Sequence, residues 1–320
     1  MGTPILSIGI ISYNQAEFIE KAINSVMAQQ TQYPFELIIC DDASEDNTDD
    51  IVNGLLRGVS FSTQYVRNKT RKGPLLNGKN FIKHASGKYL CWMDADDYWC
   101  YENKIQKQID FLESNLDYNG CFHDAKIISD IEINEDLSEQ LKEQTHGRWK
   151  SYSQFNTYQS DFYPWDVLQR KIIPTASLMI RNRDLNHFLE KHLDVNLSVS
   201  WALHLELIKN SKFKYFNELW SVYFDHAKGF SKSIDLVTFK LNNIQILFKL
   251  LDDAYYSALK KDVYRAIANE YYFLLHSAEA QKRSTKEYRD YCKAYTKWAD
   301  KATKEDVERF KTTHKLKNQQ

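Results

Sequence analysis

Two groups of aspartates have the residue type and the spacing that a cation-binding site needs. Asp41 and Asp42 form the first group, and Asp94, Asp96 and Asp97 form the second. Carboxylates brought close together repel one another, so a cation is expected to compensate their charge. Such clusters suit a hard divalent ion, Mg²⁺ or Mn²⁺, which shares its remaining positions with water and phosphate oxygens. The pattern therefore predicts a metal-bridged diphosphate as the ligand.

The alternative is that these aspartates are ordinary surface residues, because aspartate favours turns and helix N-termini. Their sequence context argues against this interpretation. Residues 89–93 form an apolar, buried-looking run directly before the second group, and residues 36–40 form an equivalent run before the first. Open parallel sheets bind ligands beyond the carboxyl ends of their strands. We therefore expect the two groups to converge on one edge of such a sheet.

The elements that would position the two groups alternate between strand and helix. Short apolar runs rich in β-branched residues predict strands over 5–11, 36–40, 63–67 and 89–93. Helical periodicity predicts helices over 18–27, 48–56, 80–85 and 102–114. Asn14 and Glu17 have the spacing of a capping box for the first helix. Alternating strands and helices predict an α/β fold with an open, mostly parallel sheet and flanking helices.

The rest of the chain is less regular until its last quarter. Residues 117–161 are polar and aperiodic, so loops are predicted there. From residue 235 onward the pattern is helical, and neither glycine nor proline occurs after Gly229. This predicts a separate C-terminal helical appendage.

The composition of the chain argues against nucleic-acid binding, a cysteine zinc site and a membrane-spanning N-terminus. The chain carries 42 Lys and Arg against 43 Asp and Glu, so no overall positive charge indicates nucleic acid as a partner. Its five cysteines are scattered without zinc-ligand spacing, which is typical of reduced structural thiols. The N-terminus lacks a basic region and a cleavage site, and the apolar run 5–11 is too short to span a bilayer. We therefore expect a cytoplasmic protein, with the inner face of the membrane as an alternative location.

At the level of motifs, the first half resembles the family 2 glycosyltransferases of the GT-A fold. The matching stretches are LSIGIISYN at 6–14, ELIICDDASEDNT at 36–48, and ASGKYL at 85–90 leading into DADDYW at 94–99. Further similarity extends over 104–122, 173–181 and 223–231. The resemblance implies a metal-dependent, inverting glycosyltransferase. Its donor would be a nucleotide diphosphate sugar, with UDP expected, and its acceptor a glycan or a lipid-linked sugar in cell-surface polysaccharide synthesis.

The same resemblance implies roles for individual residues at the nucleotide. Asp41 would contact the base, with Asp42 beside it and Ser12, Tyr13 and Asn14 lining the pocket. It also implies a nucleotide-sugar-binding half over 1–120 and an acceptor-binding half of the same GT-A domain over 121–234, whereas the helical region predicted over 235–320 lies outside the resemblance.

At the diphosphate, the resemblance implies that Asp94 lies near the donor ribose and that Asp96, with Asp97 as a further candidate, holds Mn²⁺ or Mg²⁺. His226 matches a late histidine that approaches the metal or the diphosphate in many relatives. The alternative for His226 is an ordinary histidine satisfied in the core or at the surface.

The expected general base departs from the family pattern. Inverting relatives carry a carboxylate just before a Trp-containing helix, and alignment through Trp201 puts Ser200 at that position. A serine hydroxyl cannot act as a general base near neutral pH. Asp194 is the first candidate to replace it and Glu206 the second, although Asp194 also suits a turn. The alternative function is a catalytically impaired subunit that binds nucleotide sugar.

Two further alternatives stay open. A metal-dependent nucleotidyltransferase is less consistent with the sequence, because no glycine-rich phosphate loop follows the first strand. Residues 282–317 mix basic and aromatic residues. If the basic residues fall on one helical face, that helix would lie against anionic lipid; the alternative is a solvated helix packed on the catalytic domain.

Overall fold

The computed structural model describes residues 3–129, 159–169, 171–183, 199–226, 229, 234–277 and 282–317. The chain forms two units. The first comprises Met1–Tyr163, Ile172–Asn196 and Glu206–Ala227, and the second comprises Pro164–Lys171, Leu197–Leu205 and Lys228–Gln320.

The first unit is built on a mixed sheet that has nine strands among the described residues. In chain order they are β1 (Leu6–Ser12), β2 (Phe35–Asp41), β3 (Ser62–Arg67), β4 (Tyr89–Asp94), β5 (Tyr98–Trp99), β6 (Tyr118–Ser129), β7 (Asp161–Phe162), β8 (Met179–Arg181) and β9 (Lys212–Asp225). Their order across the sheet is β3-β2-β1-β4-β8-β6-β9-β5, and β7 pairs with β9. Most paired residues lie in parallel ladders.

Strands β3, β2, β1 and β4 form the parallel half. The side chains of β1, β2 and β4 are almost entirely buried, as expected for strands covered on both faces. The register pairs Ser12 with Asp41 and Ile11 with Asp94. The carboxyl ends of three adjacent strands therefore lie side by side.

The other half of the sheet is mixed. Strand β8 runs antiparallel to both β4 and β6, whereas β9 runs parallel to β6. Register shifts interrupt the β6–β9 ladder around Asp124. The loops predicted over 117–161 are wrong for Tyr118–Ser129, which form the 12-residue strand β6. Residues 130–158 of that prediction lie outside the described residues.

Four helices of the first unit follow the parallel strands: α1 (Ile19–Met27), α2 (Thr48–Leu56), α3 (Pro74–His84) and α4 (Lys104–Ser114). Helix α1, which was predicted over 18–27, buries Ile19, Ala22, Ile23 and Val26. The predicted capping box is wrong, because α1 begins at Ile19 and its N-cap residue Phe18 makes no side-chain cap. Asn14 instead accepts a hydrogen bond from the Glu45 N–H at 2.8 Å.

The second unit is helical. It contains α5 (Pro164–Gln169), most of α6 (Val199–Leu207), α7 (Leu236–Leu251), α8 (Lys260–Leu275) and α9 (Thr285–Lys317). Two buried polar contacts join its parts: Trp201 donates to the Val167 carbonyl at 2.8 Å, and the Tyr256 hydroxyl donates to the Leu205 carbonyl at 2.6 Å. Among the described helices, none is both long and apolar enough to cross a membrane.

The α/β class predicted from the sequence, with its mostly parallel sheet, flanking helices and C-terminal helical appendage, is confirmed.

Candidate functional site

The candidate site lies where β1, β2 and β4 end. The Asp42 N–H donates to the Ser12 carbonyl at 2.9 Å, and the Ala95 N–H donates to the Ile11 carbonyl at 3.0 Å. These bonds extend the parallel ladders by one residue beyond the strands. They hold the starts of both acidic turns against the end of β1.

Asp41 is fully buried and surrounded by donors. Its carboxylate accepts from the Ser44 N–H and hydroxyl, from the Tyr65 hydroxyl at 3.0 Å and from Arg67 Nε at 3.1 Å. Burial of the phenol and then the Asp41 charge raise the pKa of Tyr65 above its ordinary value, so Tyr65 stays a donor. The Arg67 ion pair compensates a carboxylate that would otherwise be buried alone.

Asp42 is also buried, and its two oxygens are used within the protein. They accept from Asn68 Nδ2 at 2.8 Å, from the Lys72 N–H at 2.8 Å and from the Gly73 N–H at 2.7 Å. Asp42 therefore fixes the loop of residues 68–73, which we call the basic loop.

The turn after β1 is locked to the turn after β2. Asn14 has a φ of 52° and Ala43 a φ of 62°, both in the left-handed region that non-glycine residues rarely adopt. The Asn14 N–H donates to the Ser44 hydroxyl at 2.8 Å, and its side chain accepts from the Glu45 N–H. Two cross-turn bonds thus hold an unusual backbone in place. The neighbouring Ser12 hydroxyl is buried and has no partner among the described residues.

A cavity of about 950 Å³ opens beside these turns. Its walls are Tyr13, the β2 turn, the start of α2 and the basic loop, with lining residues Tyr13, Ala43, Ser44, Glu45, Asp46, Asp49, Asp50, Arg67, Asn68, Lys69, Thr70 and Arg71. The Arg71 guanidinium lies over the Tyr13 ring, 4.1 Å from its centroid. The cavity therefore offers an aromatic face and cations on one side, and carboxylates on the other.

The three aspartates after β4 have different environments. Asp94 is exposed at its surface, and desolvation by the surrounding protein, followed by the Asp96 charge, raises the pKa of Asp94 above its ordinary value. Asp96 is 15% exposed and lies 3.0 Å from His226 Nε2. Asp97 is buried and accepts from the Phe224 N–H at 3.2 Å; burial, then Asp96 and Asp94, raise its pKa well above its ordinary range. Of the three, Asp94 and Asp96 are the open carboxylates.

His226 is brought to Asp96 by the end of β9. Its ring is only 2% exposed and packs against Phe18, at a centroid distance of 4.6 Å, and Phe224, at 5.2 Å. The aromatic rings fix the orientation of the imidazole, and Nε2 is left facing the carboxylate.

A metal ion is consistent with the chemistry of these residues. Among the described residues, no group of three His, Cys, Asp or Glu side chains has the geometry of a complete metal site. Burial and then the neighbouring carboxylates raise the pKa values of Asp94 and Asp97, so a cation at Asp96 would favour the charged forms of both. Asp96, beside the His226 imidazole, has the ligand type that a divalent cation accepts.

The base candidates are placed as follows. Ser200 lies in the first turn of α6, in the second unit, and is half-buried. Asp194 lies outside the described residues. Glu206, the second candidate, forms an ion pair with Lys209 at 2.7 Å.

Two supporting residues were not found by sequence reasoning. Asn77 on α3 is 1% exposed and donates to the Ser12 carbonyl at 3.2 Å and to the Cys40 carbonyl at 2.9 Å, which joins the ends of β1 and β2. Phe18 orients His226, which is distant from it in sequence. An amide and a phenylalanine within a helical pattern give no local signal of such long-range roles.

Comparison with known proteins identifies the family. The family model described as "Glycosyl transferase family 2" matches residues 7–169, which is half of the chain. The chain belongs to this family. The matched residues include both acidic turns and exclude His226, which lies beyond them in the chain.

Relatives match parts of the chain. "Uncharacterized protein Rv1520" of Mycobacterium tuberculosis is 27% identical over 224 residues, which are 70% of this chain and 60% of that protein. "UDP-Glc:alpha-D-GlcNAc-diphosphoundecaprenol beta-1,3-glucosyltransferase WfaP" of Escherichia coli is 36% identical over 110 residues, 34% of this chain and 42% of that protein. The chain thus spans 60% or less of the length of these two relatives.

Solved structures share the fold. Staphylococcus aureus TarS 1-349, in complex with UDP-GlcNAc, has a TM-score of 0.65 at 14% identity and covers 92% of this chain and 80% of its own. Mannosyltransferase PcManGT from Pyrobaculum calidifontis, in complex with GDP-Man and Mn²⁺, has a TM-score of 0.54 at 15% identity, with 93% and 85% covered. The predicted family 2 glycosyltransferase of the GT-A fold is confirmed.

Proposed function

We propose that this chain transfers a sugar from a nucleotide diphosphate sugar to a glycan or lipid-linked acceptor in cell-surface polysaccharide synthesis. Family membership supports a glycosyltransferase. The observation that carries the proposal is the placement of the Asp41 turn and the Asp94–Asp96 turn at the ends of adjacent parallel strands. The names of relatives that use UDP-Glc and diphosphoundecaprenol-linked acceptors support the donor and acceptor classes.

The base of the nucleotide would bind beside Asp41 and Tyr13. Asp41 would act on the base pocket indirectly, because it is fully buried and its oxygens already accept from Ser44, Tyr65 and Arg67. The Tyr13 ring offers a stacking face. Ser12 has a buried hydroxyl available for the nucleoside, and Asn14 and Asp42 would act by holding the turns and the basic loop in place.

The diphosphate would lie toward the second acidic turn. Asp94 would contact the donor ribose, and Asp96 with His226 would hold Mn²⁺ or Mg²⁺. A bound cation would stabilise the negative charge that develops on the departing nucleoside diphosphate. Asp97 would support this arrangement by anchoring the Phe224 backbone, which places His226 beside Asp96.

Transfer with inversion requires a base for the acceptor hydroxyl. Asp194 is our first candidate and Glu206 the second, because Ser200 cannot take a proton near neutral pH. Ser200 also supports a second function, a nucleotide-sugar-binding subunit with impaired transfer.

Turnover assays distinguish the two functions. Purified protein is incubated with Mn²⁺ and a panel of UDP and GDP sugars, and release of nucleoside diphosphate is followed with and without lipid-linked and glycan acceptors. Transfer predicts acceptor-stimulated release. Donor binding without release under any acceptor would support the binding subunit. If Ser200→Asp raises the release rate, loss of the base limits transfer; if the rate is unchanged, another residue acts as the base.

The metal assignment has its own test. Asp96→Asn should weaken binding of the nucleotide sugar at least about tenfold in Mn²⁺, because one anionic ligand is lost, and should leave binding in chelator unchanged. Titration calorimetry measures both. Asp110→Asn, an exposed change on α4, is the control and should bind normally in both conditions. Equal weakening of the Asp96 variant in Mn²⁺ and in chelator would rule out a metal role.

A further inference from the structure

Helix α9 has two faces of opposite character over residues 285–304. The packed face carries aromatic residues: Trp298 is buried and contacts Phe248 and Tyr264 at centroid distances of 5.5 and 5.4 Å. Seven residues before Trp298, or about two turns, Tyr291 contacts Tyr271 at a centroid distance of 6.5 Å. This face attaches α9 to α7 and α8 within the second unit.

The opposite face is a row of cations. Its members recur every three or four residues, and they are Lys286, Arg289, Lys293, Lys297, Lys301 and Lys304. At 100° per residue they fall within a sector of about 120°, and the row is about 27 Å long at the helical rise. All are exposed except Lys301, which is half-buried over Trp298. We call these six residues the basic row.

The positive charge of the basic row is not balanced locally. Only Asp290 and Asp300 lie in the same sector. None of the exposed cations from Lys286 to Lys297 forms a salt bridge among the described residues. Like charges at i, i+4 destabilise a helix. The whole chain has a net charge of −1, so the row does not reflect a generally basic protein.

We propose that the basic row binds the surface of an anionic phospholipid bilayer. The cations form a straight row on one side of a helix, which suits a flat surface of phosphate groups, and long Lys and Arg side chains reach headgroups without burying the helix. The aromatic residues of α9 are used for packing, so binding is electrostatic and does not require insertion. Single-stranded nucleic acid is a poorer fit, because the row carries no aromatic residue on which bases could stack.

The test is sedimentation of the full chain with phosphatidylcholine vesicles that contain or lack phosphatidylglycerol. The row variant combines Lys286→Gln, Arg289→Gln, Lys293→Gln and Lys297→Gln. The control variant removes the same charges from exposed positions elsewhere, through Arg57→Gln, Lys83→Gln, Lys126→Gln and Lys260→Gln. Circular dichroism at rising temperature verifies that both variants fold.

We expect the wild type and the control to bind only the anionic vesicles and to be released by high salt. The row variant should bind them at least about tenfold more weakly, because each basic residue near the surface adds to the attraction. Equal losses in both variants, equal binding to neutral vesicles, or no binding at all would overturn the proposal. So would preferential binding of a single-stranded oligonucleotide over vesicles. None of these outcomes depends on sugar transfer.

Discussion

The hydrogen bonds of Asp42 predict that this residue stabilises the basic loop, and replacement of Asp42 tests the prediction. Asp42→Ala removes the acceptor of one amide and two backbone N–H groups of the basic loop. A hydrogen bond to a charged group contributes about 1.5–3 kcal/mol, and three that share one carboxylate are not additive. We expect the free energy of unfolding to fall by about 3 kcal/mol. Asp42→Asn keeps one acceptor oxygen and should lose about 2 kcal/mol.

Urea denaturation measures the loss, and limited trypsin digestion reports on the loop. The basic loop contains Lys69, Arg71 and Lys72, so its release should accelerate cleavage there, as mass spectrometry of the fragments would show. Asp50→Ala is the matched control: Asp50 is exposed and lines the same cavity, and its loss should change stability by less than about 0.5 kcal/mol. If Asp42→Ala weakens nucleotide binding with normal stability and normal cleavage, Asp42 is a ligand contact and our reasoning is wrong.

Two further predictions concern stability alone. In Gly87→Ala the new Cβ would lie 2.6 Å from the Ser7 backbone nitrogen, so we expect more than about 3 kcal/mol of destabilisation. In the control Gly78→Ala, on α3, the new Cβ would have no neighbouring atom within 4 Å, so stability should be unchanged or should rise by up to about 1 kcal/mol. Similar melting temperatures for the two variants would contradict the packing argument. Burial lowers the pKa of Lys171 to about 7 from its ordinary 10.5, although Glu270 opposes this. Between pH 7 and pH 9 the folded state has released the Lys171 proton while the unfolded state still binds it. The free energy of unfolding should therefore rise in this range by up to about 1 kcal/mol per pH unit relative to Lys171→Met. Parallel pH profiles of the two proteins would refute the shift.

The parallel half of the sheet was predictable because its signal is local. The runs predicted over 5–11 and 36–40 differ from β1 and β2 by one residue at each end. A short, fully buried, β-branched run between polar turns has few other interpretations.

Strand β6 was not predictable because its burial depends on distant partners. Gly120, His123 and Asp124 interrupt the apolar pattern, yet both polar residues are buried. Local bonds satisfy part of their polar atoms: His123 Nδ1 bonds to the Asp124 carbonyl, and Asp124 accepts from the Ala125 N–H, whereas His123 Nε2 has no partner among the described residues. Sequence reasoning counted these residues as evidence for a loop, whereas the parallel partner β9 makes them part of a strand.

The sequence predicts that the acidic residues lie at one edge of the sheet, but it does not predict which of them face the site and which hold the backbone. Asp96 and Asp97 are adjacent and chemically identical, yet one faces His226 and the other holds the Phe224 backbone. Asp41 and Asp42 differ in the same way: Asp41 forms an ion pair with Arg67, and Asp42 anchors the basic loop. The direction of each side chain is set by the turn that follows its strand.

This division has a consequence for how mutations in such motifs are interpreted. Loss of nucleotide-sugar binding in Asp42 or Asp97 variants would not identify a ligand, because both residues hold backbone that the site requires. Residues that bind the metal and residues that hold the backbone can be distinguished by whether the effect of their replacement depends on metal. A residue that positions backbone should lower binding in Mn²⁺ and in chelator alike and should lower stability as well, whereas Asp96 should affect only the metal-dependent part. An acidic motif of five carboxylates therefore supports a metal site of fewer ligands than its composition suggests.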